Sequence, residues 1–303
     1  MGIFCIYFSF RNIVFSDFTQ YFLKINYLWV AIGILLGALS HISRSYRWKF
    51  LINPLGYKLG FINSVLAVFS AYLINYTIPR AGDLARATMI SKYEKIPLEK
   101  TLGTIVAERA VDVICIIVII CIGLIIEFQK ISEELINLTQ NTEISTILIY
   151  VVAIFLLLFI SNRVLKKSKY YKSLSNFFFG IIEGLTVIFK MKNRNLFIFH
   201  SIFIWLMYIL MFWATSKAFV DLQEVTFFQL MISFTLAALS IMFSNGGIGI
   251  YPLAVEESLG WYGIQSTTGL AFGWVSWLSQ TMMVVFFGGL SLFVLPFINR
   301  NKK

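Results

Sequence analysis

Long apolar segments with almost no charge dominate this sequence. Several contain about twenty residues, which is enough to cross a hydrocarbon core about 30 Å thick. Of the 303 residues, 58% are hydrophobic and 13% are charged, whereas soluble domains average about half apolar and about a quarter charged. The sequence therefore predicts an all-α, polytopic membrane protein with about 6–8 apolar helices. The apolar segments are 27–43, 61–79, 103–126, 144–162, 175–189, 196–220, 225–243 and 265–297.

Other features of the composition argue against several classes of protein. The first ten residues, MGIFCIYFSF, have no basic start and no small-residue cleavage site, so we interpret them as the end of an apolar helix. Cys5, Cys115 and Cys121 lie within apolar runs, which argues against a disulfide framework. The net charge of +10 comes largely from short loops, as expected for a membrane protein. We expect no metal, no cofactor and no nucleic-acid partner.

Loop charges orient the chain, because cytoplasmic loops of membrane proteins are enriched in lysine and arginine. The segment 127–143 has four glutamates and one lysine, so we expect it outside. The basic tail at 300–303 predicts a cytoplasmic C-terminus. We expect a multi-pass protein of the cell membrane, specifically a bacterial inner membrane. The other basic segments are 44–58, 80–100, 163–172 and 190–194.

Two apolar segments have flanks that this charge rule assigns to one side of the membrane. Segment 61–79 joins the two basic segments 44–58 and 80–100. Segment 225–243 starts from the acidic side and meets the helix-breaking run SNGGIGIYP. We therefore expect both segments to enter the membrane and return, or to lie in the interface.

The order span, re-entrant element, span occurs in 27–126 and again in 196–297, with 127–195 as the link. We assign both units to one integral membrane domain over 1–303. Paired broken helices are typical of an inverted repeat whose substrate site lies near the membrane midplane. The alternative is that one of these segments crosses, in which case there is no repeat.

The run YTIPRAGDLARATMI predicts a break in the first re-entrant element. Pro79 lacks a backbone N–H and Gly82 tolerates unusual dihedral angles, so the helix from residue 61 should end near Ile78. Irregular backbone at membrane depth is tolerated where it is buried or lines a watery cavity.

A new helix is expected to begin at Asp83, which is a good N-cap residue. Helix N-termini attract anions, and Arg80 and Arg86 flank this one. The run therefore predicts an anion site. The alternative is a cytoplasmic loop whose arginines face water.

The segment TLGTIVAERAVDVI places charges inside an apolar helix. Glu108 and Asp112 are four residues apart on one face, and Arg109 lies beside Glu108. Such charges are costly in a membrane unless they face partners or water. The pattern predicts an ion-pair lock between helices, an arginine-rich anion site, or both. The candidate partners are Arg44, Arg47, Arg80 and Arg86.

The segment SNGGIGIYPLAVEESLG marks the second break. We expect Gly247 and Gly249 to let the backbone turn sharply, since they match neither the phosphate loop nor the dinucleotide fingerprint. Glu256 is a candidate proton or cation site facing a cavity. Alternatively, it caps a helix at the outer surface.

Four segments resemble the lysylphosphatidylglycerol synthase transmembrane region family, in order and through nearly the whole chain: SRSYRWKFLINPLGYK, NYTIPRAGDLARATMISKYEKIP, GTIVAERAVDVI and NGGIGIYPLAVEE. Stand-alone members of that family are described as flippase-like. The resemblance implies an integral membrane protein that binds or moves an anionic phospholipid or a polyprenyl-phosphate lipid. The positions that match the family are Arg47, Arg80, Gly82, Asp83, Arg86, Glu108, Arg109, Asp112, Gly247, Gly249 and Glu256.

Two positions depart from the family pattern. Asp83 stands where glutamate is more usual, and Asn245 stands where proline is common. The family's aminoacyl-transferring soluble domain does not follow the last apolar segment, so we expect the chain not to be an enzyme. Two other functions stay open, namely a membrane glycosyltransferase with a lipid-linked donor and a non-catalytic partner in envelope assembly.

Overall fold

The computed structural model describes residues 21–140, 191–241 and 246–300. Nine α-helices lie wholly within these residues, residues 21–24 are also helical, and none of the described residues forms a strand, which confirms the all-α class. The predicted segments 144–162 and 175–189, the first ten residues and Asn245 lie outside the described residues. The helices are α1 (Tyr27–Ile52), α2 (Phe61–Thr77), α3 (Gly82–Glu94), α4 (Leu98–Ile126), α5 (Phe128–Gln140), α6 (Arg194–Ser216), α7 (Phe227–Ser240), α8 (Ile250–Gly260) and α9 (Ser266–Ile298).

Four of the described helices are long and apolar enough to cross a membrane. They are α1, extended by a short 3₁₀ turn to Leu55, together with α4, α6 and α9. The other two apolar helices, α2 and α7, have only 17 and 14 residues. At 1.5 Å per residue such helices are shorter than a hydrocarbon core about 30 Å thick. The chain is therefore a polytopic helical membrane protein.

The helices α1–α4 and α6–α9 form two series that have the same order of long and short helices. Each series has a long span, a short apolar helix, a short second helix and another long span. The two series also pack reciprocally, since α1 contacts α6, α2 contacts α9 and α4 contacts α7. This arrangement is what an inverted repeat requires, and the repeat itself stays a prediction.

The helices α2 and α3 form a hairpin that begins and ends at one end of the molecule. Asn63, at the start of α2, exchanges amide hydrogen bonds of 3.0 and 2.8 Å with Asn299, just after α9. The same Asn63 donates to Glu94, the last residue of α3. The start of α2, the end of α3 and the end of α9 thus lie together, as expected if 61–79 enters and returns.

The opposite end of the bundle holds the start of α1, the end of α6 and the start of α9. There the Asn26 N–H donates to the Ala218 carbonyl at 3.1 Å, and Thr268 donates to Asp221 at 3.1 Å. The helix α7 follows the end of α6, and α8 precedes the start of α9. The hairpin of α7 and α8 therefore begins and ends at this opposite end.

The tips of the two hairpins meet inside the bundle. The ring of Tyr76 lies so close to Gly246 that a Cβ added there would be 2.9 Å from it. Trp277, in the middle of α9, donates its indole N–H to the Gly246 carbonyl at 2.7 Å. Each broken element therefore reaches the interior from its own end of the molecule.

Candidate anion-binding site

A buried ion-pair cluster joins α1 to α4. Arg44 Nη1 donates to Glu108 Oε1 at 2.9 Å and also to Asp112. Arg47 Nη2 donates to Asp112 Oδ1 at 2.9 Å and lies 3.3 Å from Glu108 Oε1. Glu108 and Arg47 are both 0% exposed. Because neither charge can reach bulk water, each depends on its partner.

The third helix of the cluster is α3, which contributes Arg86. Its Nη2 lies 3.3 Å from Glu108 Oε2, and its guanidinium lies over the Trp48 ring at 4.4 Å from the centroid. The Trp48 indole N–H donates to Thr104 Oγ1 at 2.9 Å, which holds the ring in place. Cation–π contact stabilises a desolvated arginine, so Arg86 is bound on two sides.

The outer edge of the cluster is a two-pronged ion pair between Asp83 and Arg109. Arg109 donates from Nε and Nη2 to the two Asp83 oxygens at 3.0 and 2.8 Å. Both side chains are 37% exposed, and Arg109 also reaches Asp112 at 3.4 Å. Burial alone would raise the pKa of the Asp83 carboxyl, but the hydrogen bonds and charge of Arg109, with help from Arg86, hold that pKa below its usual range.

The cluster has more positive than negative charge. Seven side chains take part, and they leave one positive charge in excess. The nitrogen Nε of Arg44 has no hydrogen-bond partner among the described residues, nor do those of Arg47 and Arg86. A buried donor without a partner is costly, so these groups favour an additional acceptor. The members are Arg44, Arg47, Arg86 and Arg109 against Asp83, Glu108 and Asp112.

A cavity of about 460 Å³ opens beside this cluster. Arg44, Arg109 and Asp112 line its charged end, together with the aromatic side chains of Tyr72 and Tyr208. Most of the remaining wall is apolar. It includes Val113, Ile116, Trp205, Met211, Phe212, Phe234, Ala238 and Ile241.

The sequence of the chain matches a known family over most of its length. The family model described as "Lysylphosphatidylglycerol synthase TM region" matches residues 1–294. The chain belongs to this family. A UPF0104 membrane protein of Methanocaldococcus jannaschii is 37% identical over 87 residues, which are 28% of this chain and 26% of that relative. The matched part thus spans about a quarter of the relative's length. No solved structure matches the chain.

Not all the arginines predicted to pair with Glu108 and Asp112 do so in this family member. Arg44, Arg47 and Arg86 pair with them, but Arg80 does not. Arg80 lies exposed between α2 and α3, and its φ of 63° belongs to the left-handed region. No ion pair of Arg80 is found among the described residues.

The N-cap predicted for α3 is wrong, and the anion site at this helix start stays a prediction. The break after α2 occurs as predicted. Ile78 is the C-cap of α2, and Pro79 follows it. However, α3 begins at Gly82 after Ala81, and Asp83 is not the N-cap. The Gly82 N–H donates to the Asn75 side chain at 2.7 Å, so an N–H group at this terminus already has a partner.

Gly82 itself permits close packing of the hairpin. A Cβ at this position would collide with the Ala71 carbonyl oxygen and with the Asn75 side chain. Glycine is therefore required at position 82 for steric reasons. Its role is to let α3 return against α2, which brings Arg86 to Glu108.

The second break lies apart from the charged cluster. Gly247 and Gly249 have φ values of 78° and 76°, as expected for residues that turn the backbone sharply. Glu256 is half-buried on α8, where it accepts a hydrogen bond from Ser266 at the start of α9. Burial raises the pKa of its carboxyl. Glu256 therefore does not join the predicted site residues of the first half.

Sequence reasoning did not identify Tyr72 and Tyr208. Each stands in an apolar helix where a tyrosine is ordinary. Both reach the cavity because α2 and α6 each pack against α1. Ser276 and Gln280 of α9 were missed for the same reason. Neutral polar side chains in an apolar span carry no sequence signal that separates packing from binding.

Proposed function

We propose that this protein binds an anionic lipid by its phosphate headgroup and moves it between the leaflets of the membrane. The headgroup belongs to an anionic phospholipid or a polyprenyl phosphate. The observation that carries this proposal is the apolar cavity with a charged, arginine-rich end. A cavity of this size and character suits a mostly apolar ligand with one polar group.

The charged end has the chemistry that a phosphate needs. Arginine presents planar N–H donors that match phosphate oxygens, and one of them, Arg44 Nε, has no partner in the cluster. The hydroxyls of Tyr72 and Tyr208 add neutral donors. The lipid chain would lie along the apolar wall formed by α4, α6 and α7.

The two hairpins support movement as well as binding. Transporters with paired broken helices bind their substrate near the midplane and expose it alternately to either side. In this protein the hairpin tips meet at Tyr76 and Gly246, next to the cavity wall at Tyr251 and Ile241. We further propose a cell-membrane location with the C-terminus in the cytoplasm, on the basis of the basic loops.

Translocation of headgroup-labelled lipids in proteoliposomes tests this function. Wild-type protein should accelerate translocation of at least one anionic lipid above protein-free vesicles. Arg44→Lys keeps the charge but loses the planar guanidinium, so it should slow translocation strongly. Arg80→Lys is the matched control, since Arg80 lies outside the cluster, and should behave like the wild type. Equal rates for the two variants would contradict a role for Arg44.

A second pair of variants tests the apolar part of the cavity. Ala238 lines the cavity, whereas Val285 is an exposed apolar residue of α9. Ala238→Phe should fill the cavity and slow translocation, and Val285→Phe should not. If both leave the rate unchanged, the lipid chain does not use this cavity. No observation on the described residues favours the glycosyltransferase or the assembly partner.

A further inference from the structure

We infer that the charged end of the cavity is matched to a singly charged phosphate, that is, a phosphodiester, and discriminates against a doubly charged phosphate monoester. This inference rests on the proposed function and deepens it. Of the two candidate lipid classes, it selects phospholipids with a diester headgroup over polyprenyl phosphates. The basis is the charge balance of the cluster.

In the part of the chain that the structure describes, seven charged side chains form the cluster beside the cavity. The helix α1 provides Arg44 and Arg47, α3 provides Arg86 and Asp83, and α4 provides the rest. Four arginines face three carboxylates, and each carboxylate lies within 4 Å of at least two arginines. Paired in this way, the carboxylates stay ionised. A ligand with one negative charge therefore neutralises the cluster.

The other polar groups near the cluster do not change this balance. The helices α2, α6 and α8 add the phenols Tyr72, Tyr208 and Tyr251, and α9 adds the neutral Gln280. Two histidines lie close by. His41 packs its ring against Tyr72 with centroids 4.3 Å apart, and His200 shares a 2.8 Å hydrogen bond with Ser43.

Among the described residues, a second negative charge on the ligand would have no free cation to meet. The guanidinium groups of Arg47 and Arg86 are held by Glu108, Asp112 and aromatic rings, so they cannot turn towards the cavity without unpairing a buried carboxylate. Asp112 lines the same end of the cavity and repels additional negative charge. An unpaired charge in such an environment is costly.

The test compares two short-chain lipids that differ in one feature. Dioctanoyl phosphatidylglycerol carries a phosphodiester, and dioctanoyl phosphatidic acid carries a monoester. The second ionisation of a phosphate monoester has a pKa of about 6. Between pH 5 and pH 8 phosphatidic acid thus gains a second charge, whereas phosphatidylglycerol does not change.

Binding to the detergent-solubilised wild-type protein is measured by calorimetry at both pH values. At pH 8 we expect phosphatidylglycerol to bind about tenfold more tightly than phosphatidic acid, which corresponds to about 1.4 kcal/mol. At pH 5 the two affinities should converge. Any effect of His41 or His200 on binding is common to both lipids, and the comparison cancels it. Glycerophosphoglycerol, the same headgroup without chains, should not displace the lipid, which distinguishes a lipid site from a free phosphate site.

A variant with one more positive charge should change the preference. Asp112→Asn removes one carboxylate, so phosphatidic acid should gain affinity at pH 8 relative to phosphatidylglycerol. Asp83→Asn does the same at the half-exposed edge, where the effect should be smaller because solvent screens the charge. If Asp112→Asn does not fold, the wild-type comparison decides alone. Equal binding of both lipids at pH 8 would overturn the charge-matching inference and leave the proposed function intact. Binding of neither lipid at either pH would count against the proposed function itself.

Discussion

The two halves of the bundle have corresponding helices but opposite chemistry at corresponding positions. Glu108 and Asp112 are the eleventh and fifteenth residues of α4, and Ser276 and Gln280 take the same places in α9. Arg44 is the eighteenth residue of α1, and Met211 is the eighteenth of α6. All of these except Glu108 line the same cavity.

The first half therefore supplies every charged member of the ion-pair cluster, and the second half supplies most of the apolar wall. In a low-dielectric interior, charges need partners within a few ångströms, so they gather in one place. The second half has neutral residues at the same positions, so its side of the cavity can contact a lipid chain. The difference between the halves gives the cavity one charged end and one apolar end.

The largest expected effect tests whether the first hairpin enters the membrane and returns. The side from which two introduced cysteines are labelled gives an all-or-none answer. In a background without native cysteines, Lys58→Cys and Lys92→Cys should react with an impermeant thiol reagent from the same face of the membrane. The reason is that the start of α2 and the end of α3 lie together at Asn63. Thr139→Cys should react from the other face. Labelling of positions 58 and 92 from opposite faces would mean that 61–79 crosses, and the correspondence of the halves would fail.

The next effect tests how far the first half depends on its carboxylates. Glu108→Gln leaves three arginines without a full counter-charge, which should cost about 3–5 kcal/mol of stability. The exposed Glu133 of α5 is the control, since Glu133→Gln removes a charge that is solvated. Thermal unfolding in detergent should show a much lower midpoint for Glu108→Gln. Similar small shifts for both variants would place Glu108 in contact with water.

A smaller effect tests whether the second half must stay neutral. Gln280→Glu would place a carboxylate where the second half has an amide, and it would cancel the excess positive charge at the cavity. We expect about tenfold weaker binding of phosphatidylglycerol, about 1.4 kcal/mol. Gln265→Glu makes the same change at an exposed position just before α9 and should have little effect. Unchanged binding in Gln280→Glu would show that the two halves are not distinguished by charge.

The smallest expected effect separates two arginines of the same break. Arg80→Ala should leave both lipid affinity and thermal stability nearly unchanged, because the side chain is exposed and outside the cluster. Surface substitutions of this kind usually change stability by about 0.5 kcal/mol or less. Arg86→Ala should be far more destabilising in the same unfolding assay. A loss of lipid binding in Arg80→Ala would favour the helix N-terminus as the anion site.

Sequence reasoning alone identified the four spans of the described residues, the break near Pro79 and the carboxylates that need arginine partners. These features follow from local chemistry. Twenty apolar residues suit a bilayer, proline lacks an N–H, and a charge within an apolar span has to be paired. The wrong partner assignment of Arg80 and the wrong N-cap role of Asp83 have an equally local explanation. Spacing along a chain does not say which side of a broken helix faces the interior.

The sequence by itself determined that this chain is a helical membrane protein with buried charge near its first break. Only the tertiary structure decided which charges meet. Arg86 lies in the first turns of α3 and points inward because Gly82 lets that helix return against α2, whereas Arg80 precedes the helix in a left-handed conformation and stays outside. Likewise, the residues across the cavity, such as Tyr72 and Tyr208, are brought together only by the packing of helices that are far apart in the chain. Local chemistry sets what each residue requires, and the helix packing sets which partner supplies it.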